Sequence, residues 1–374
     1  MKKEVGISVY PEFYDLIEIK RYLKKASDLG FTKAFTALQI AEYNFSSKAK
    51  TIGKNEFKEI FSYAKSLGIN FTADTTRNVF DSLGATPTNL EPFYDLGLAT
   101  IRIDAGFDYE EICSMTNNKY GIIIESNASF STPKNKQYYE EVKKFCKLIM
   151  DFGNITQLVT CFNYFPRMGT GHSKEFVKEV VHLYKEYSIP VSAFVASQFS
   201  APDLNEHDHG VQTIEEHRFM APHLAAQELF CLGVSNVIIG DSMASESELS
   251  ELSRIKDLEH LEIPVLFNQY LPKDIENKIK SIVMTSRVDQ PADIIRSTDT
   301  RGIELAPLYC APRIKYSVTM DNIMNSRYAG ELQIVLKEYG PRQNINVIGK
   351  IAEEGRHLLP YILYGNQRFV LINK

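Results

Sequence analysis

Three aspartates close short apolar runs in this chain. Asp74 follows Phe71-Thr72-Ala73, Asp104 follows Ile101-Arg102-Ile103, and Asp241 follows Val237-Ile238-Ile239-Gly240. A carboxyl group partly buried at the end of an apolar strand can hold its proton to higher pH and act as an acid. Two carboxyls in one cleft are what cleavage of a glycosidic bond requires. An aspartate in such a place also caps helices or accepts loop amides, but three at the same kind of position favour chemistry. Asn127, Asn163 and Tyr164 close two further runs and offer neutral donors and acceptors suited to a polyhydroxylated ligand. Arg167 and Arg218 add fixed cations whose planar fork matches a phosphate or a carboxylate. Gly169-Thr170-Gly171 leaves main-chain amides open to an anion. Ser8-Val9-Tyr10-Pro11-Glu12 and Gln39, with Glu42 just beyond, close two more runs.

Other chemistries find less support. His207 and His209, inside Asn205-Glu206-His207-Asp208-His209-Gly210, have the His-x-His spacing of metal ligands. They fall in a long loop, and no other run ends in histidine, so a solvated loop and no metal are expected. Neither a G-x-S-x-G nucleophile elbow nor a Walker phosphate loop is present. No lysine closes a run, since Lys33 opens one. The five cysteines, Cys113, Cys146, Cys161, Cys231 and Cys310, are odd in number, widely spaced and free of C-x-x-C. That pattern predicts no disulfide framework and a reducing, cytoplasmic setting.

These residues act together only if their runs end on one rim. Eight apolar runs, at residues 5–10, 33–38, 69–74, 99–104, 122–127, 155–163, 191–196 and 236–241, are each followed by a helical stretch. Eight consecutive strand–helix units predict a closed parallel barrel, whose carboxyl-end rim carries the active site. Gly30, Gly68, Gly153 and Gly233 stand where helix C-caps need positive φ. Thr213–Glu216 and Ser245–Glu248 fit capping boxes, and Pro222 should break the seventh helical stretch in two.

The pattern changes near residue 260. Strand-like runs at 264–268, 281–285, 316–320, 332–336, 347–351 and 368–372 alternate with Gly and Pro turns. They predict a small β-rich domain, so residues 1–260 are read as the barrel and 261–374 as the appended domain. The 374 residues, 44% hydrophobic and 24% charged, suffice for two cores. Net charge is −5, divided as −8 over the first 260 residues and +3 over the rest. That balance argues against a nucleic-acid partner, and no run approaches the roughly 20 apolar residues of a membrane span. Oligomeric state is not legible.

Taken in order, these residues resemble the bacterial 6-phospho-N-acetylmuramidase family. The resemblance rests on Gly6-Ile7-Ser8-Val9-Tyr10, Phe35-Thr36-Ala37-Leu38, Ala73-Asp74 and the Arg-x-Asp-x-Gly-Phe core of residues 98–107. It continues through Asn127-Ala128-Ser129, Asn163-Tyr164-Phe165-Pro166-Arg167, Glu216-His217-Arg218 and Ile239-Gly240-Asp241. In the tail it includes Asp321-Asn322 and Arg327-Tyr328-Ala329-Gly330-Glu331-Leu332-Gln333-Ile334. It implies a TIM barrel followed by a cyclophilin-like β-domain, and hydrolysis of a 6-phosphomuramyl–N-acetylglucosamine disaccharide in cell-wall sugar recycling. The chain departs from the family at Ala201–Gln212, at His172 and at Glu125.

The resulting expectation is a phosphosugar hydrolase without a cofactor. Asp104 and Asp241, on opposite walls, are the favoured catalytic pair, with Asp74 the third candidate. Asn127, Asn163, Tyr164, Arg167 and Arg218 are expected to contact substrate, joined by Arg327 and Glu331 from the tail. The rivals are a phosphosugar-binding protein without turnover and a pyridoxal-phosphate racemase architecture, which would need a lysine near Ser8–Glu12.

Overall fold

The computed structural model describes residues 2–38, 50–104, 106–129, 137–199, 210–289 and 291–374. The chain divides into two compact units, Met1–Asp257 and Leu258–Lys374.

The first unit is a closed barrel of eight parallel strands: β1 (Glu4–Ser8), β2 (Lys33–Ala37), β3 (Asn70–Thr75), β4 (Thr100–Ile103), β5 (Ile123–Asn127), β6 (Leu158–Cys161), β7 (Val191–Val195) and β8 (Asn236–Ser242). Pairing of β1 with β8 closes it. The strands are rich in Val, Ile, Phe and Ala because helices cover the outer face while side chains fill the inside. Helices such as Leu16–Asp28, Lys54–Ser66 and Lys174–Glu186 bury one apolar stripe each against this wall.

Local signals in the sequence are met unevenly. Gly30, Gly68 and Gly233 do adopt positive φ, whereas Gly153 does not. A Cβ at Gly153 would lie 2.7 Å from Thr116 Oγ1 and 3.0 Å from the Ile149 carbonyl, so close packing explains that glycine. Ser245 and Glu248 form the expected capping box. Thr213 does not cap a helix; its hydroxyl accepts from Phe194 N (2.9 Å) and donates to the Asn163 carbonyl (3.1 Å). Pro222 opens the helix Pro222–Leu232 at its first turn, where the missing N–H costs nothing, and a separate 3₁₀ turn, Glu215–His217, precedes it.

The second unit is a curled mixed sheet of six strands, a half-barrel. Its strands are β9 (His260–Phe267), β10 (Ile294–Ser297), β11 (Ser317–Asp321), β12 (Leu332–Val335), β13 (Ile345–Ile351) and β14 (Arg368–Asn373), in spatial order β10-β12-β11-β13-β9-β14. Only β14–β9 is parallel. The apolar run at 281–285 is not a strand; Met284 alone bridges to Phe369. Strand β10 and the helix Lys273–Lys280 were not evident from sequence, being short and heavily interrupted by charge.

Candidate active site

Register builds the site before any side chain is considered. Asp74 of β3 lies beside Arg102 of β4, and Arg102 beside Glu125 of β5. Neighbours in register on parallel strands share a face, so these three form one charged layer inside the barrel. Two residues further along each strand comes the rim. Asp104 lies just beyond β4, Asn127 ends β5, and Asn163 lies two residues past β6.

Arg102 is the centre of the cluster. Its Nη1 donates to Asp74 Oδ1 at 2.8 Å and to Asp104 Oδ1 at 3.2 Å, and its Nη2 donates to Asn163 Oδ1. Asn127 Nδ2 reaches Asp104 Oδ1 at 3.4 Å, while Asn127 Oδ1 accepts from Ser129 N and Oγ. Burial opposes the charge on Arg102, but Asp74 and then Asp104 outweigh it, so the guanidinium holds its proton more tightly than usual. The two aspartates differ in access. The Asp104 side chain is 35% exposed, against 5% for Asp74 and 3% for Arg102. Asp74 thus backs the cluster and Asp104 faces solvent.

Tyr164 joins the same cluster. Burial first, and then Asp74, push its hydroxyl pKa above the ordinary value, with Arg102, Asp104 and Tyr10 also acting on it. Its ring packs edge-on against Phe35 and Phe194. With Tyr10, Ala37, Val211 and Ile238 these rings form an apolar cluster beside the charged one. Phe35 and Phe194 are fully buried, so this cluster is packing beneath the rim, and Tyr164 is its partly exposed member beside the carboxylates and amides.

Three expected contacts are engaged elsewhere. Asp241 is buried, and its Oδ2 accepts main-chain N–H groups of Ser197 (2.8 Å) and Val211 (3.4 Å). A Cβ on neighbouring Gly240 would collide with the Val211 carbonyl, so that segment sits directly on β8. Arg218 is buried too. Its guanidinium grips Glu215 (2.8 and 2.7 Å) and the carbonyls of Phe165, Pro166, Arg167 and Gly210. The amides of Gly169 and Gly171 donate to the same Glu215 carboxylate at 2.9 and 2.8 Å. The anion expected at Gly169-Thr170-Gly171 is therefore the chain's own. Glu215 is held down to about 2, first by Arg218 and also by those amides. In the second unit, Glu331 is buried between Arg296 (2.6 Å) and Arg301 (2.9 Å), while Arg327 is exposed beside the Tyr328 ring. Both Glu331 oxygens are thus taken by arginines of its own unit.

Arg167 has the opposite character. It is exposed, and among the described residues no carboxylate pairs with it. His207, His209, Gln39 and Glu42 lie outside the described residues. No three ligating side chains come together as a metal site among the described residues, and no described helix is long and apolar enough to cross a membrane.

Sequence reasoning passed over Arg102 and Glu125 as site residues. A signal was present: a charge inside a strand buried on both faces has no apolar reason to be there. Glu125 is pushed up to about 7, first by burial, against the pull of Arg102 and Lys33, and its Oε1 has no hydrogen-bond partner among the described residues.

Comparison with known proteins agrees with this architecture. The family profile described as "6-phospho-N-acetylmuramidase, N-terminal" matches residues 5–254, and its C-terminal counterpart matches residues 261–372. No curated protein matches the chain. A crystal structure of an uncharacterized B. cereus protein shares 28% identity with a TM-score of 0.84, covering 100% of both chains. A conserved Enterococcus faecalis protein of unknown function shares 26% identity with a TM-score of 0.72, over 99% of this chain and 96% of that one. Both units are thus matched in order and nearly end to end, and the chain belongs to the 6-phospho-N-acetylmuramidase family.

Proposed function

We propose that this protein hydrolyses the glycosidic bond of a phosphorylated amino-sugar disaccharide, 6-phospho-N-acetylmuramyl–N-acetylglucosamine, in cytoplasmic recycling of cell-wall sugars and without a cofactor. The observation that carries the reading is the solvent-facing Asp104, fixed by Arg102 and Asn127 at the carboxyl ends of the barrel strands in a chain of this family. Glycoside cleavage builds positive charge at the anomeric carbon, and a fixed carboxylate there stabilises it. Asp74 neutralises Arg102 from behind, so the Asp104 charge is not fully cancelled by the guanidinium. Asn127, Asn163 and Tyr164 supply sugar contacts, with the buried Phe35 and Phe194 rings fixing Tyr164 in place. Arg167 is the cation open to the 6-phosphate.

Incubation with phosphorylated and unphosphorylated muramyl disaccharides, with release of N-acetylglucosamine as the readout, tests this directly. Release from the phosphorylated substrate alone is the expected result. Thermal stabilisation by that substrate with no product would identify a binding protein instead.

A further inference from the structure

A glycosidase needs a carboxyl that can donate a proton, and each of the three rim aspartates already accepts from a guanidinium or from main-chain amides. Asp74 and Asp104 face a guanidinium that keeps its charge, and Asp241 accepts two main-chain N–H groups. Glu125 lies one layer below, lining a cavity at the amino ends of the strands with Lys33, Thr72 and Asn236, away from the rim.

One more carboxyl stands at the rim. Glu12 sits in the 3₁₀ turn Pro11–Phe13, directly after β1. It is 2% exposed, and its Oε2 has no hydrogen-bond partner among the described residues. Its turn belongs to the same mouth. Tyr10, two residues earlier, donates its hydroxyl to the Gly240 carbonyl on β8 (2.8 Å) and its main-chain N–H to Ser242 Oγ (2.9 Å). Tyr10 also acts on the Tyr164 hydroxyl, which feels Asp74, Arg102 and Asp104 in turn. Strand β1 is three places from β4 on one side of the eight-strand ring, so Glu12 and Asp104 lie on nearly opposite walls.

We propose that Glu12 is the proton donor to the departing sugar, with Asp104 the carboxylate across from it. This rests on the hydrolase reading above. The Glu12 carboxyl passes its proton to the glycosidic oxygen as the bond from the anomeric carbon breaks, and the bonding electron pair leaves with that oxygen. A water oxygen then bonds to the anomeric carbon, and the proton it releases returns to the carboxylates, so the protein ends as it began. Burial pushes the Glu12 carboxyl up to about 7, against its own main-chain hydrogen bond and Lys50. Lys50, whose amide bonds the Glu12 carbonyl at 2.9 Å, is the charged group acting on it among the described residues. A buried carboxyl that burial keeps protonated, set across the mouth from a solvent-facing carboxylate, gives the two unlike environments such catalysis needs.

The test compares two leaving groups. N-acetylglucosamine needs a proton to depart; 4-nitrophenol leaves unaided as its anion. In the wild type, hydrolysis of the disaccharide should fall on the alkaline side with a midpoint near pH 7, and hydrolysis of the 4-nitrophenyl glycoside of the same phosphosugar should not. Glu12→Gln should lower kcat/KM for the disaccharide by at least about a hundredfold, the scale of removing a general acid, and for the aryl glycoside by less than about tenfold. The disaccharide's alkaline limb should vanish in the variant, and Glu12→Asp should restore part of it. Equal losses on both substrates, or an alkaline limb shared by both substrates in the wild type, would overturn the assignment even if Glu12→Gln proved unable to fold. A wild type that releases no N-acetylglucosamine would instead overturn the hydrolase reading itself.

Discussion

The barrel rim uses the same residue types in two ways. Around β3 to β6, Arg102 binds Asp74, Asp104 and Asn163, and the outermost carboxylate is left facing solvent. Near β7 and β8, Arg218 binds Glu215 and four carbonyls, and Asp241 accepts main-chain amides, so both are buried in fastening segments to the barrel. A buried guanidinium with carboxylates on it is not in itself a catalytic sign. What separates the two regions is whether the bonds end on side chains at an open edge or on the backbone of the protein.

The largest expected effect lies on the fastening side. Arg218→Met would strip Glu215 of its cation and leave four carbonyls without a donor. Breaking a buried pair in this way costs about 3 kcal/mol or more, and Glu215 retains the Gly169 and Gly171 amides, which argues for the lower end. Chemical denaturation should show that loss, while any folded fraction keeps its kcat. A variant as stable as wild type would remove the distinction drawn here.

Asp104→Asn should act in the opposite sense. Turnover of the phosphorylated disaccharide should fall by at least about a hundredfold with the melting temperature nearly unchanged. Asp241→Asn, which keeps one acceptor for the two amides, should lose less than about tenfold. Reversed magnitudes, measured by N-acetylglucosamine release, would move the chemistry to β8.

Arg167→Ala probes the exposed cation. A charge-assisted bidentate contact with a sugar phosphate contributes roughly 1.5–3 kcal/mol. The expected loss in kcat/KM is therefore about ten- to a hundredfold on phosphorylated substrate and little on the unphosphorylated one. Equal losses on the two would make Arg167 a structural residue.

The smallest effect concerns Glu125 beneath the cluster. Its carboxyl is raised to about 7 in the folded chain from an ordinary value of 4.5. The folded state therefore binds more protons between those values. The associated stability is complete below the lower value and is lost as pH rises through the upper one. Glu125→Gln should remove its share of that fall, about 1 kcal/mol by pH 8, less than the whole shift implies because Arg102 also loses a neighbouring carboxylate. Melting curves from pH 5 to 8 should converge at the acid end and favour the variant at the alkaline end. Curves that stay parallel would show that Glu125 does not titrate there.

Periodicity made the barrel legible. Alternating apolar runs and amphipathic stretches leave few ways to bury both, and a strand end in such a barrel has only one rim to occupy. Asp74, Asp104, Asn127, Asn163 and Tyr164 could therefore be grouped from the sequence alone, and the structure brings them together. The sequence of the second unit was less informative. Its strands are short, and mixed pairing between distant segments such as β9 and β14 leaves no local trace. Nor does any spacing in the chain distinguish Asp104 from Asp241, or Arg102 from Arg218. Each pair has the same chemistry and a similar setting in sequence. Burial and hydrogen-bond partners come from segments tens of residues away: Ser197 and Val211 for Asp241, the residue 165–171 segment for Arg218, and the β3 and β6 ends for Arg102. Which charges are consumed in holding the fold and which face solvent depends on those long-range contacts, and only the tertiary structure decides it.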